Sequence, residues 1–162
     1  MKLFIIFFPL LLLLSCSFNK DKKIDEAKKR LEILKDSKIN LYKVLAISKL
    51  LELSKENKNE QISILDYAIK SNIEKNDKDL FKIKKALLAF DNLNEQQFLN
   101  LLNPSDFKNS PWRVLSLEIL GDFYIMKGQK IKAKGIYAQA IKIEDIPEIF
   151  KNDLEKKIKN IK

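Results

Sequence analysis

Apolar side chains recur at three- and four-residue spacing along most of the chain from Asp21 onward, which is the period of an amphipathic helix. In the first of these segments Ala27, Leu31 and Leu34 form one stripe, with lysine and glutamate between them. Short polar clusters separate one segment from the next. The pattern predicts eight helices, at about 22–36, 40–55, 60–74, 78–91, 95–102, 110–127, 130–142 and from 147 onward.

Helix-end signals support several of these boundaries. Asn94, followed three residues later by Gln97, predicts a capping box at the start of the fifth helix. Ser110 is a good N-cap, and Pro111 suits the first turn of the sixth helix. Gly128 follows that helix, where a left-handed residue is expected.

Turns of two to six residues between short helices are typical of antiparallel helical hairpins. A single hairpin cannot cover its own apolar face, whereas stacked hairpins bury it. The chain has only three Gly and four Pro, which favours long helices over a strand-rich fold with many tight turns. We therefore expect an all-α fold, a short solenoid of helical hairpins.

The N-terminus has a different pattern. Met1-Lys2 gives a positive start, and Leu3 to Leu14 is an apolar run interrupted only by Pro9. These twelve residues are too short to span a bilayer comfortably, which takes about twenty. A run of this length after a basic start is typical of a secretory signal peptide.

Leu13-Leu14-Ser15-Cys16 follows this run and resembles a bacterial lipobox. The resemblance implies cleavage after Ser15, diacylation of the Cys16 thiol and acylation of the new N-terminus, and two or more acyl chains anchor a protein stably. The alternative is an uncleaved membrane helix with an incidental cysteine. We expect a signal peptide at 1–15, a lipidated basic tether at 16–23 and a helical domain at 24–162.

A repeat signature lies near the C-terminus, within 114–147. The tetratricopeptide repeat has 34 residues, with small and aromatic residues at fixed positions. With Val114 as the first position, seven residues match the signature: Leu117, Leu120, Gly121, Tyr124, Ala133, Tyr137 and Ala140. Gly121, Ala133 and Ala140 would allow close helix approach, and the two tyrosines would fill space between repeats.

The chain resembles the tetratricopeptide-repeat family that includes ancillary, YfgM-like subunits of the Sec translocon. The resemblance covers roughly 22–161 and includes Ser110-Pro111-Trp112-Arg113 before the repeat. It implies a tetratricopeptide-like solenoid with an N-terminal helix and a C-terminal capping helix, and a scaffold or chaperone-like role for exported proteins. The chain differs in its lipobox, where that family has a membrane-spanning helix, and in its shorter length. The upstream hairpins match only in topology.

The composition argues against catalysis and metal binding. There is no His, so the commonest general base and metal ligand are missing, and Cys16 is the only cysteine. The three Gly form no phosphate-binding loop. We expect no enzyme activity, no metal and no cofactor.

The net charge of +9 comes from lysines spread along the chain and mixed with acidic residues. Nucleic-acid readers rely on Arg for bidentate contacts, and this chain has two, Arg30 and Arg113. We therefore expect no nucleic-acid partner.

The expected partners are proteins. Repeat solenoids bind peptides or helices on the face formed by the first helix of each repeat. In the last repeat this groove would include Leu115, Glu118, Asp122 and Ile125; alternatively these residues contact only neighbouring helices or solvent.

Two functions fit these features. The first is a lipid-anchored periplasmic scaffold or chaperone-like factor at the translocon. The second is a lipoprotein subunit of an outer-membrane assembly complex. Ser17 favours the second, because serine after the lipidated cysteine permits export to the outer membrane in enterobacteria. The sequence leaves inner and outer membrane undecided, and the bilayer is a partner of Cys16 in both.

The lipobox predicts that the protein incorporates fatty acid at Cys16. In cells fed an alkyne-tagged palmitate, we expect labelling of the wild type and of Ser17→Ala, and loss of labelling in Cys16→Ser, because only the thiol can form the thioether to the lipid. Mass spectrometry of the mature protein should place its N-terminus at Cys16. Labelling that survives Cys16→Ser would contradict the lipoprotein assignment.

Overall fold

The computed structural model describes residues 22–161, and these residues are helical without any strand. The helices are α1 over 22–34, α2 Asn40–Leu53, α3 Lys58–Lys70, α4 Lys75–Leu88, a 3₁₀ turn Phe90–Asn92, α5 Glu95–Leu101, α6 Arg113–Met126, α7 Lys130–Ile141 and α8 Glu148–Asn160. The expected all-α class is confirmed. The predicted signal peptide and Cys16 lie outside the described residues.

All eight predicted helices are present, but some ends differ. The third helix ends at Lys70, four residues before the predicted end. Ser71 follows the helix, and both its amide and its hydroxyl donate to the carbonyl of Tyr67, at 2.9 Å and 2.7 Å. Ile73 is buried in the turn that follows, so an apolar residue that continues the helical period belongs to a connection.

The predicted capping box and the left-handed glycine are confirmed. The Asn94 side chain accepts a hydrogen bond from the Gln97 amide at 2.9 Å, and the Gln97 side chain accepts one from the Asn94 amide at 3.0 Å. Gly128 has φ 71°, which glycine adopts at little cost. The amides of Gly128 and Gln129 donate to the carbonyls of Ile125 and Tyr124, the bonding of a Schellman motif.

The sixth helix begins at Arg113, two residues after the predicted proline start. The Ser110 hydroxyl accepts a hydrogen bond from the Trp112 amide at 3.3 Å, and the Ser110 carbonyl accepts one from the Arg113 amide at 3.1 Å. The indole of Trp112 donates to the carbonyl of Asn76 at 3.0 Å. These bonds hold Ser110 and Trp112 in a turn that precedes the helix.

The chain forms two compact units, one up to Ile64 and one from Leu65 onward. The N-terminal unit contains α1, α2 and the first half of α3. Its buried apolar residues lie on α2: Ala46, Ile47, Leu50 and Leu51. Lys28 of α1 pairs with Glu60 of α3 at 2.9 Å, and the Gln61 side chain donates to the Leu51 carbonyl at 3.2 Å.

The C-terminal unit contains the larger apolar core. Three phenylalanines form its aromatic part: Phe98 stacks on Phe123 with ring centroids 4.0 Å apart, and Phe90 meets Phe98 edge-to-face at 5.5 Å. Helix α7 packs against both α6 and α8. Leu154 attaches α8 to the core and is fully buried.

Helices α6 and α7 approach each other closely at Gly121, which faces the ring of Tyr137. A Cβ built on Gly121 would lie 2.6 Å from Cδ1 and 2.8 Å from Cζ of that ring. No real side chain tolerates such distances, so residue 121 must lack one for the Tyr137 ring to pack against the α6 backbone. Gly135 on α7 provides a contrast, because a Cβ there would meet nothing within 4 Å.

This contrast predicts opposite effects of two alanine substitutions. Gly121→Ala should lower the free energy of unfolding by about 1–3 kcal/mol, because the new methyl overpacks a filled core. Gly135→Ala should raise it by up to about 1 kcal/mol, because alanine is the better helix former. Urea unfolding followed by circular dichroism measures both. Equal effects of the two substitutions would contradict the close approach.

Candidate functional site

The seven repeat-signature residues lie together at the packing of the last three helices. All seven are buried: Leu117, Leu120, Gly121 and Tyr124 on α6, and Ala133, Tyr137 and Ala140 on α7. Each therefore lies in the interior of this unit. Among the three small residues, Gly121 faces the ring of Tyr137 so closely that a Cβ there would clash with it.

A polar network ties α5 to the turn between α6 and α7. The Glu95 carboxylate accepts hydrogen bonds from Lys132 at 2.7 Å, Gln129 at 3.2 Å and the Tyr124 hydroxyl at 3.3 Å. The bonds from Lys132 and Gln129 lower the pKa of Glu95. Burial and the nearby Glu95 charge raise the pKa of Tyr124, so this tyrosine stays neutral and donates to Glu95. Sequence spacing alone gave no indication of this network.

The two acidic residues of the predicted groove lie side by side on α6 and meet α8. The Lys157 ammonium donates to Glu118 at 2.7 Å and to both oxygens of Asp122 at 3.0 Å. Asp153 lies 3.8 Å from the same ammonium. The Tyr137 hydroxyl donates to Asp122 at 2.6 Å. Three helices of one chain therefore converge on this acidic pair.

The electrostatics of this cluster follow from its contacts. Burial alone would lower the pKa of Lys157, but its hydrogen bonds to Glu118 and Asp122 outweigh burial, and the pKa is raised. Burial raises the pKa of the Tyr137 hydroxyl, and its hydrogen bond to the Asp122 carboxylate raises it further. Both groups therefore keep their protons at neutral pH. One ammonium faces three carboxylates, so the cluster keeps an excess of negative charge.

The two apolar residues of the predicted groove are placed differently. Leu115 is partly buried and packs against the core, whereas Ile125 is 38% exposed near the end of α6. The structure thus brings Glu118 and Asp122 together and sets α8 against them, and Ile125 is the most open of the four residues. Trp112, which precedes α6, is partly buried against the core.

The N-terminal unit has a second concave surface, between α1 and α2. Leu31 and Leu34 of α1 and Tyr42, Leu45 and Ala46 of α2 line most of it, and its volume is about 440 Å³. We call this surface the α1–α2 groove. The helical period places Leu45, Ser48 and Glu52 along one side of α2, but only the structure shows that a groove runs beside them.

Comparison with known proteins returns no match, either to a family model, to a curated protein or to a solved structure. Within residues 22–161, no helix is both long and apolar enough to cross a bilayer. The same residues contain no group of three or more His, Cys, Asp or Glu side chains that could hold a metal ion.

The Tyr137–Asp122 contact predicts a loss of stability in alkali. A tyrosine in the unfolded chain loses its proton near pH 10.0, whereas folded Tyr137 has a raised pKa and keeps it. Its contribution to stability is therefore complete below that pH and is lost as the pH rises above it. Lys157 acts in the same direction, because its pKa is also raised.

Tyr137→Phe should remove part of this dependence. We expect its free energy of unfolding to fall by about 1 kcal/mol at neutral pH, from the lost hydrogen bond. Between about pH 9 and pH 11 it should fall less steeply than in the wild type. Tyr42→Phe, at a residue that is 50% exposed, is the matched control. Identical slopes for wild type and Tyr137→Phe in urea titrations would refute the assignment.

Proposed function

We propose that this chain is a lipid-anchored, tetratricopeptide-like repeat protein of the bacterial envelope that binds other proteins. The observation that supports this most directly is the burial of all seven signature residues at the packing of α6, α7 and α8. The contact of Gly121 with Tyr137 supplies a physical reason for the small residue at this position of the signature. Repeat hairpins of this kind serve as binding surfaces and not as catalytic scaffolds.

The cellular role that fits best is a scaffold or chaperone-like factor for exported proteins at the Sec translocon. The lipobox at Leu13–Cys16 supports an anchor on the periplasmic side of a membrane, near chains as they emerge. The helical body needs no cofactor for such a role. Binding would depend on the shape, charge and apolar contacts of its surface.

The groove of the last hairpin is the proposed protein-binding surface. Ile125 supplies an exposed apolar contact at one end of α6. Glu118 and Asp122 supply negative charge, which Lys157 neutralises only in part. A partner segment with an apolar side chain one to two helical turns from a lysine or arginine would fit both features.

The second candidate is a lipoprotein subunit of an outer-membrane assembly complex. Ser17 favours this function, since serine after the lipidated cysteine permits transfer to the outer membrane in enterobacteria. The short body counts against it, because related assembly lipoproteins have more repeats. The two candidates place the protein in different membranes.

Site-specific cross-linking tests the groove without disturbing its ion pairs. A photo-reactive amino acid would replace Ile125 in the lipidated protein in cells, and Ile131, which is 90% exposed on α7, in the matched control. We expect covalent adducts with envelope proteins at 125 and not at 131, because only the first lies beside the acidic pair. Equal yields of adducts at both positions would contradict the groove assignment.

The identity of the adducts separates the two candidate functions. Inner and outer membranes are separated, the native protein is recovered from each, and its partners are identified by mass spectrometry. Translocon subunits or exported proteins from the inner membrane would support the first function. Components of β-barrel assembly from the outer membrane would replace it with the second.

A further inference from the structure

Exposed apolar side chains are concentrated in one short stretch of the N-terminal unit. Of the twelve large apolar side chains that are exposed among residues 22–161, six lie between 33 and 45: Ile33, Leu34, Ile39, Leu41, Tyr42 and Leu45. The other six are spread from 87 to 150. Scattered exposed apolar residues are normal, but a cluster of this kind marks an interaction surface.

The α1–α2 groove runs through this cluster. Leu34, Tyr42 and Leu45 belong both to the cluster and to the lining of the groove. Its polar side chains include Lys49 and Glu52, which pair with each other at 2.8 Å. The remaining lining is almost entirely apolar, so the surface suits a broad apolar occupant and has few groups to orient a small polar ligand.

The charge around this cluster is positive. Residues 22–43 contain eight lysine or arginine side chains and four aspartate or glutamate side chains, a net charge of +4. Lys22, Lys23, Lys29 and Lys38 are among the exposed ones. Apolar side chains with lysines around them are typical of surfaces that lie on anionic membranes.

The chain also limits how far this surface can be from the membrane, if Cys16 is the lipid anchor of the proposed function. Six residues from Cys16 to Lys22 reach at most about 20 Å when fully extended. The thirteen described residues of α1 add about 20 Å. A tether this short gives a high effective concentration of lipid, so even a weak apolar surface would be occupied by it.

We propose that the α1–α2 hairpin docks on an anionic bilayer surface through Leu41, Tyr42 and Leu45. The leucine side chains enter the boundary between headgroups and acyl chains, and the Tyr42 ring lies at headgroup depth with its hydroxyl toward water. The exposed lysines meet lipid phosphates. This inference rests on the proposed function for the lipid anchor at Cys16. It goes beyond that function because it identifies a second membrane contact, on the helical body itself.

The test uses the chain from residue 16 onward, which the predicted cleavage after Ser15 leaves, with Cys16→Ser to remove the only native thiol. A single new cysteine replaces Leu41, which is 60% exposed, and carries an environment-sensitive fluorophore. The control places it at Glu56, whose side chain is 89% exposed in the same unit. Vesicles contain phosphatidylglycerol and phosphatidylcholine, with a nitroxide quencher on the acyl chains.

Docking predicts a blue shift and quenching of the fluorophore at 41 and neither at 56. The ratio of docked to undocked protein should be at least about fivefold lower on pure phosphatidylcholine, because the lysines then lose their anionic partners. On vesicles that contain phosphatidylglycerol, adding Tyr42→Ser and Leu45→Ser should lower the ratio of docked to undocked protein about tenfold. Leu87→Ser with Ile131→Ser, at exposed sites of the other unit, should leave it unchanged.

Three results would overturn the proposal: no change at 41, equal quenching at 41 and 56, or a blue shift that needs no vesicles and grows with protein concentration. The third would assign the surface to a second copy of the chain. Because this chain lacks the lipidation site, mass spectrometry of Cys16 in the native protein tests the anchor separately. Failure of docking and failure of anchoring are thus distinguishable.

Discussion

The close approach of α6 and α7 at Gly121 is the constraint on which the C-terminal unit depends. Because residue 121 has no side chain, the Tyr137 ring can lie against α6, and its hydroxyl then reaches Asp122 at 2.6 Å. Asp122 in turn meets Lys157 of α8. The absence of a side chain at residue 121 therefore sets the spacing of α6 and α7. Through Tyr137 and Asp122 it also sets the position of α8.

This arrangement combines an apolar core with a polar cluster at its edge, and the two have different roles. Burial of the core residues supplies most of the driving force for packing three helices. A polar cluster then fixes how the helices are oriented, because its charged hydrogen bonds form only in one relative placement of α6, α7 and α8. This cluster consists of Glu118, Asp122, Tyr137 and Lys157. One ammonium faces three carboxylates there, so the cluster also keeps an excess of negative charge at the surface of the unit.

The sequence predicted the features that depend on local chemistry. The helical period located all eight helices, and the residue types at Asn94 and Gly128 predicted their hydrogen-bonded turns, because a cap depends on neighbours three to five residues away. The repeat assignment of 114–147 stays a prediction; the structure shows that its seven signature residues are buried on α6 and α7.

What the sequence did not predict depends on distant contacts or competing local bonds. Nothing near Glu118 indicates that Lys157, 39 residues later, is its partner. The helical period carried the predicted third helix through Ile73, whereas α3 ends at Lys70 and Ile73 is buried in the turn that follows. The α1–α2 groove requires the relative placement of two helices, which a single stripe of apolar residues leaves open.

The separation of Glu118 and Lys157 along the chain also has a consequence for shortened chains. A chain cut after α7 would keep Gly121 and Tyr137, but it would lose Lys157 and Leu154 of α8. Glu118 and Asp122 would then lack their shared ammonium, and the part of the core that Leu154 fills would be open to water. Truncation at the C-terminus would therefore change the packing of the unit and the charge of its acidic cluster together.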